Sequence, residues 1–305
     1  MKVFITGGAG FIGSNIAEEL QKNNEVTVFD NLRTGFGHNL EGLNVNFIKG
    51  DICDLEAVRG ATRNIDTIFH LAAFISVPES MAKEEETVRI NAIGSLNVLK
   101  AARENKVRNI VLSSSAAVYG DSPVSPKRED MIPEPKSPYA VTKLDGEFYF
   151  KMYREEYGIN AVCLRYFNVF GPRQDPKSQY AAAIPIFVGK ALKNEDLIIY
   201  GDGEQTRDFV YVKDVVKANL LAAQKGGTIY NVAGGNTITV NELAEKIIKI
   251  TNSKSRIVYV PDRPGDIKHS HADISRIRKI GFEPGTDLSA GLEKTIAYFI
   301  SLFGK

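Results

Sequence analysis

The 305-residue chain has almost no net charge: 38 lysines and arginines oppose 37 aspartates and glutamates, leaving +1 with the histidines neutral. No global field therefore favours nucleic acid or an anionic membrane, and any bound anion must be held by local arginines and backbone dipoles. Cysteine is nearly absent. Cys53 and Cys163 stand far apart and outside any C-x-x-C pair, which argues against a disulfide framework and for two small buried hydrophobes. There is no apolar run of membrane-spanning length, no internal repeat and no low-complexity tract. The chain opens on MKVFITGGAG, already a strand and a turn, with no charged segment ahead of a signal-type apolar core. A cytoplasmic, reducing location is the default expectation. Histidine is sparse too. His269 and His271 are two apart, yet no third ligand has metal spacing, so no metal site is expected. His38 stands alone, and His70, which closes an apolar run, reads as a satisfied structural histidine.

What is present is an alternation of short apolar runs and helical patterns. Val3–Thr6 precedes a glycine-rich turn, after which Ile16, Ala17 and Leu20 recur at helical spacing; Val26–Phe29 then ends at Asp30. Strand, helix and strand within about thirty residues is the size of a βαβ unit. Val45–Lys49, Thr67–Leu71, Asn109–Ser113 and Asn160–Arg165 read as further strands. Leu55–Ala61, Glu84–Asn105 and Pro138–Tyr157 read as helices. The fold class expected is α/β, a Rossmann-type doubly wound parallel sheet. The texture changes after Asn168, and a smaller C-terminal α/β lobe is expected over 169–305, with the segment 212–232 returning to the sheet of the first domain, 1–168.

Gly7, Gly10 and Gly13 form G-x-x-G-x-x-G after a strand and at the opening of a helix. Glycine there allows a tight turn, close approach of the backbone to a pyrophosphate, and close packing of helix on strand. The helix N-terminus adds unpaired N–H groups and a positive dipole end. Asp30 closes the second strand, where a carboxylate accepts hydrogen bonds from an adenosine ribose and repels a 2′-phosphate, favouring NAD over NADP. Arg33 nearby weakens that choice, and the competing role for Asp30 is a turn aspartate. Asp51-Ile52 follows the third strand and either faces the adenine or forms a solvated turn.

Tyr139 and Lys143, four apart at the start of a helix, share one face. Ser137 is the expected N-cap and Pro138 suits the first helical position. A phenol is a poor base at neutral pH. A neighbouring ammonium and a positive nicotinamide are expected to lower its pKa by roughly three units, which requires about 4 kcal/mol of differential interaction. Upstream, the strand end Ser113-Ser114-Ser115 offers a hydroxyl to a reacting oxygen, at the edge where open parallel sheets carry their sites.

Together these pieces resemble the extended short-chain dehydrogenase/reductase family, UDP-sugar 4-epimerase branch. The resemblance runs through TGGAGFIGSNIAEEL, FDNL, GDICD, FHLAA, NAIGSLNVL, SSSAAVYG, SPYAVTK, LRYFNVFGPRQ, GDGEQTRDFVYVKDV and RPGDI, in family order. It implies that Ser115, Tyr139 and Lys143 are catalytic. It implies NAD as cofactor, held by Gly7, Gly10, Phe11, Ile12, Gly13, Asp30, Asn31, Asp51, Ile52, Leu71, Ala72, Ala73 and Asn91 beside the catalytic pair. In the smaller lobe it implies Asn168, Arg207, Arg263 and Asp266 on the diphosphate and ribose of UDP, with Ser270 beside the sugar. Ala116 and Ala117 stand where 4,6-dehydratases of the family carry an acidic pair, so the branch implied is the epimerase. A small residue at Ser270 implies room for an N-acetyl group. The implied partner is a UDP-sugar, and the two long helices imply a homodimer. A nucleotide-sugar dehydratase or reductase, and a non-catalytic nucleotide sensor, are the competing functions.

Overall fold

The structure, a computed structural model, describes residues 1–175, 183–262 and 268–303. The first stretch of chain runs β1 (Lys2–Thr6), α1 (Phe11–Leu20), β2 (Glu25–Asp30), β3 (Asn46–Lys49), α2 (Leu55–Ala61) and β4 (Thr67–His70). After it come α3 (Val77–Ala82), α4 (Glu84–Val88), α5 (Gly94–Glu104), β5 (Asn109–Ser115), α6 (Pro138–Tyr157), β6 (Asn160–Tyr166) and β7 (Asn168–Phe170). Then follow α7 (Ala183–Ala191), β8 (Leu197–Tyr200), β9 (Thr206–Tyr211), α8 (Val212–Lys225), β10 (Ile229–Val232) and β11 (Thr237–Thr239). The chain closes with α9 (Val240–Thr251), β12 (Ile257–Val260), β13 (His269–Ser270), α10 (Ser275–Arg278) and α11 (Leu288–Phe303).

Seven strands form one parallel sheet in the order β10-β6-β5-β4-β1-β2-β3. The order reverses between β1 and β4, and in doubly wound sheets ligands bind outside the strand ends at such a switch point. Both faces of the sheet are covered, which explains why its strands read as unbroken apolar runs. In β1, Val3 and Ile5 point into the core formed with Ile16 of α1 and Val215 and Val216 of α8. Phe4, between them, points into the opposite core with Val58, Val98, Leu99 and Phe150 of α2, α5 and α6. Full burial of a side chain such as Phe4 or Ile68 contributes about 1.5–3 kcal/mol.

The long helix read over Glu84–Asn105 differs from the expectation. It is interrupted by a π-helical turn, Arg89–Ile93, between α4 and α5. The cause is tertiary. Asn91 in that turn accepts from Phe74 N (2.6 Å) and donates to Phe74 O (3.1 Å) and to Thr142 Oγ1 (3.0 Å). Such turns recur where a helix must present a side chain out of register.

The remaining strands lie off this sheet. β9 pairs in parallel with β7 and β13 and antiparallel with β11, and β8 pairs with β12. A third apolar core, containing Phe187, Leu197, Phe209, Leu243 and Leu292, lies among α7, α9, α11 and these strands. Within the residues described, no helix is long and apolar enough to cross a membrane, and no group of three or more metal-ligating side chains is found.

Candidate active site

The turn after β1 is built for close backbone approach. Gly7 has φ +69°, and a Cβ added there would stand 2.6 Å from Ala72 N. At Gly13 an added Cβ would stand 2.2 Å from Gly7 O, so only glycine lets α1 close on the turn. At Gly10 an added Cβ would meet little, the nearest atom being Gly7 O at 3.2 Å. Gly10 caps α1 without a side-chain hydrogen bond. The first-turn N–H groups of Phe11, Ile12 and Gly13 are thus of the kind that helix N-termini present to phosphate. An open face, a glycine cradle and a positive helix end fit a dinucleotide.

Asp30 at the end of β2 is buried, and its carboxylate accepts from Ala9 N at 3.0 Å and Leu32 N at 2.8 Å. Burial raises its pKa and these two N–H groups oppose the rise. The residue is therefore both a turn aspartate and a tie between β2 and the glycine turn. Asn31 donates to Asp51 at 3.3 Å, and Asp51 also accepts from Cys53 N at 2.8 Å. Burial works against the Asp51 carboxylate, but these donors outweigh it and hold its pKa below the usual value. Ile52 is buried against α5, close enough that a Cβ on Gly94 would clash with it.

Behind the β1 and β4 ends runs a chain of hydrogen bonds that pattern reading missed. Leu71 N and Ala72 N donate to Thr6 Oγ1, which contacts His70 Nδ1 at 2.7 Å. His70 Nε2 lies 2.9 Å from Ser95 Oγ, which donates its proton to Asn91 O. Ser95 has one proton to give, so Nε2 must donate and Nδ1 must accept. Burial, helped by Lys143, holds His70 down to about 3, so it is neutral. Ala72, Ala73, Asn91, Ser95, Thr142 and Lys143 line one small pocket beside it.

Ser115 ends β5, and Tyr139 and Lys143 start α6 after the expected cap: Ser137 Oγ accepts from Ala140 N at 3.2 Å. The Ser115 hydroxyl, which accepts from Ala117 N at 3.2 Å, also favours the ionised form of the Tyr139 phenol. Lys143 Nζ donates to Ser113 O at 2.7 Å and lies 5.7 Å from the Tyr139 ring centroid. The electrostatics correct the expectation. Burial pushes the Tyr139 phenol up, and only Ser115 opposes it. Burial pulls Lys143 down to about 8, with Glu147 opposing. Protein groups alone do not acidify the phenol, because the ammonium itself is desolvated and turned to the Ser113 carbonyl. The other source of positive charge expected from the sequence, the nicotinamide of NAD, remains.

Glu147, one turn beyond Lys143, was not singled out from sequence, although its spacing continues the Tyr139–Lys143 face. Its carboxylate accepts from Arg165 Nη2 at 2.7 Å and Nε at 2.9 Å and from Ser114 Oγ at 2.5 Å. Arg165 lies 4.8 Å from the Tyr119 ring centroid, and Tyr119 Oη donates to Asn231 at 2.7 Å. The helix bearing Tyr139 and Lys143 is thereby bolted to β5, β6 and β10.

Around β9 the structure gathers three residues expected to hold substrate. Ser270 pairs directly with Arg207 across β13 and β9, and Asn168 donates to Asp208 O at 3.1 Å. Arg207 donates to Thr206 O at 2.9 Å. Asp208 beside it is fully buried and accepts from Gly234 N, Gly235 N and Ala272 N. Burial raises its pKa to about 6. Arg263 and Asp266 lie outside the described residues.

The family described as "NAD dependent epimerase/dehydratase family" matches residues 3–233. A UDP-glucose 4-epimerase of Mycolicibacterium smegmatis is 36% identical over 310 residues, covering 98% of each chain. Among solved structures, a UDP-N-acetylglucosamine 4-epimerase from Methanobrevibacter ruminantium, in complex with UDP-N-acetylmuramic acid, superposes with TM-score 0.95 and 44% identity. It covers 99% of this chain and 98% of its own. A UDP-glucose 4-epimerase of Thermotoga maritima with UDP-glucose reaches TM-score 0.95 at 38% identity, covering 99% of this chain and all 100% of its own. A glycine cradle at the switch point of a parallel sheet, matched over most of the chain, makes this protein a member of the NAD dependent epimerase/dehydratase family, with NAD as its cofactor.

Proposed function

We propose that the chain catalyses epimerisation at C4 of a UDP-hexose through a transient 4-keto sugar. The carrying observation is that Tyr139 and Lys143 open α6 beside Ser115 at the end of β5, next to the dinucleotide cradle, with Lys143 Nζ 5.7 Å from the Tyr139 ring centroid. NAD, when bound, supplies reversible hydride acceptance and a positive ring. In this reading Tyr139 takes the C4 hydroxyl proton, holds it at the phenolic oxygen and returns it after the sugar has turned over. Ser115 holds the reacting sugar oxygen and stabilises the phenolate by a hydrogen bond. Lys143 adds positive charge on the same helix face. Gly7, Gly10, Phe11, Ile12, Gly13 and Asp30 hold the dinucleotide, with Asn31, Asp51, Ile52, Leu71, Ala72, Ala73 and Asn91 lining its course.

The residues after Ser115 favour epimerisation over elimination. Ala116 and Ala117 start a short 3-10 turn there, and neither offers an acid or base. We assign the UDP-sugar to the lobe 169–305, apart from 212–232, with Asn168, Arg207, Arg263 and Asp266 gripping UDP. A guanidinium fork suits phosphate oxygens and a carboxylate suits ribose hydroxyls. Ser270, directly beside Arg207, leaves space for an N-acetyl group, so UDP-N-acetylglucosamine and UDP-N-acetylgalactosamine are substrates alongside or ahead of the plain hexoses. The free thiols of Cys53 and Cys163 fit a cytoplasmic setting, and the exposed apolar residues of α6 fit a homodimer.

Purified protein offered UDP-galactose and UDP-N-acetylgalactosamine side by side tests this. Formation of both C4 epimers without net NADH change is expected, with the N-acetylated sugar at least as fast. Stoichiometric cofactor consumption would indicate a reductase, and a strong preference for plain hexoses would overturn the Ser270 assignment. Tyr139→Phe should abolish turnover yet bind NAD.

A further inference from the structure

Arg33 stands beside the dinucleotide cradle with no part in the reaction above. An arginine close to the ribose-binding carboxylate of a Rossmann sheet is what accommodates a 2′-phosphate, so its position three residues after Asp30 runs against the choice of NAD. The structure shows where the guanidinium goes. Arg33 Nη1 donates to Glu86 Oε1 at 2.5 Å, and the guanidinium carbon lies 4.8 Å from the Phe74 ring centroid. Glu86 belongs to α4 and Phe74 follows β4, so the side chain leaves the β2 end and is captured by the elements beyond β4. Its backbone is fixed as well: Arg33 N donates to Asn31 Oδ1 at 3.0 Å, and Asn31 is held by Asp51 at 3.3 Å. Glu79 and Asp51 add further negative charge around the guanidinium. Arg33 and Glu86 keep 33% and 34% of their side-chain exposure, so the pair sits at a mouth that ligand and salt can reach.

We propose that Glu86, with Phe74, sequesters Arg33 and so makes the site selective for the dinucleotide without a 2′-phosphate. To meet that phosphate, Arg33 would have to leave both its carboxylate and its aromatic face, and Glu86 and Asp51 would repel the new anion. With Arg33 engaged, the buried Asp30 carboxylate decides the outcome, and it favours a free ribose hydroxyl. The inference rests on the dinucleotide site described above and adds the basis of its selectivity. Arg89, close enough to Asp51 and Glu86 to act on both electrostatically, is the other cation a 2′-phosphate would find, and the test separates the two.

The full-length protein, stripped of bound nucleotide, is titrated calorimetrically with NAD and with NADP. The parent protein should bind NAD in strong preference. In Glu86→Gln, which keeps the shape and removes the charge, the preference for NAD over NADP should shrink on the order of tenfold, the size of one charge-assisted contact. The gain should come from tighter NADP binding and fade as salt rises. Glu86→Asp should retain the parent's preference, and adding Arg33→Ala to Glu86→Gln should erase the gain. An unchanged preference in Glu86→Gln with NAD binding intact overturns the proposal. So does a gain that survives removal of Arg33, which would belong to Arg89. A parent protein that binds no NAD would instead overturn the dinucleotide site, and the selectivity mechanism with it.

Discussion

Burial acts on Tyr139 and Lys143 in opposite senses, since each is driven toward its neutral form: the phenol keeps its proton longer and the ammonium loses its own sooner. Lys143 therefore leaves a signature in stability. Unfolded, it releases its proton near 10.5; folded, at about 8. Between those values the unfolded chain holds more protons, so stability rises with pH across the window. Tyr139 works the other way above pH 10, which limits the useful range to pH 8–10. There the nucleotide-free protein should gain on the order of 2 kcal/mol relative to Lys143→Met. Urea unfolding of both proteins at the two pH values measures this, and a constant difference between them would refute the desolvation of Lys143. The Tyr139–Lys143 spacing was readable because a helix repeats its face every three to four residues. The state of the two groups was not, because desolvation depends on what covers them.

On the scale of elements, α6 is the best-read piece of the chain. Ser137 caps it, Pro138 begins it, and Gly158 ends it in the left-handed conformation at φ +69°; all three are local signals. Its anchorage is not local. Glu147 and Arg165 are each about 2% exposed and form a bidentate pair between α6 and β6. Removing one partner of such a pair strands the other charge in the core. Glu147→Gln should thus cost about 3–5 kcal/mol in urea unfolding, while replacing both residues by apolar ones of similar volume should cost far less. Equal losses for the single and double changes would show that packing, not the stranded charge, sets the cost. The π turn around Asn91 was hidden for a related reason: its amide is satisfied by Phe74 and Thr142, residues 17 and 51 positions away, and no local pattern announces them.

At the scale of the whole molecule, α6 keeps an exposed apolar face among the described residues. Val141, Phe148 and Met152 are 50%, 62% and 40% exposed, and Val88 and Ile93 on the neighbouring helical segment are 46% and 47% exposed. Val141, Phe148 and Met152 follow the spacing of one helical stripe, with Asp145 standing between Val141 and Phe148. A second copy meeting the same stripe would cover them by a two-fold contact. Phe148→Arg should then shift the protein from dimer to monomer in light scattering coupled to gel filtration. A parent protein that elutes as a monomer at micromolar concentration would remove this interface.

By itself the amino-acid sequence determined what repeats or turns locally: the glycine turn, the parallel-strand runs buried on two faces, the capped helix and the shared face of Tyr139 and Lys143. These follow from steric and periodic rules acting over a few residues. Only the tertiary structure decided how distant charges are matched. Arg33 meets Glu86 across 53 positions, Arg165 meets Glu147 across 18, and His70 is held neutral between Thr6 and Ser95. Electrostatic energy depends on distance and on the water excluded between partners, and both are set by the packed fold rather than by spacing along the chain.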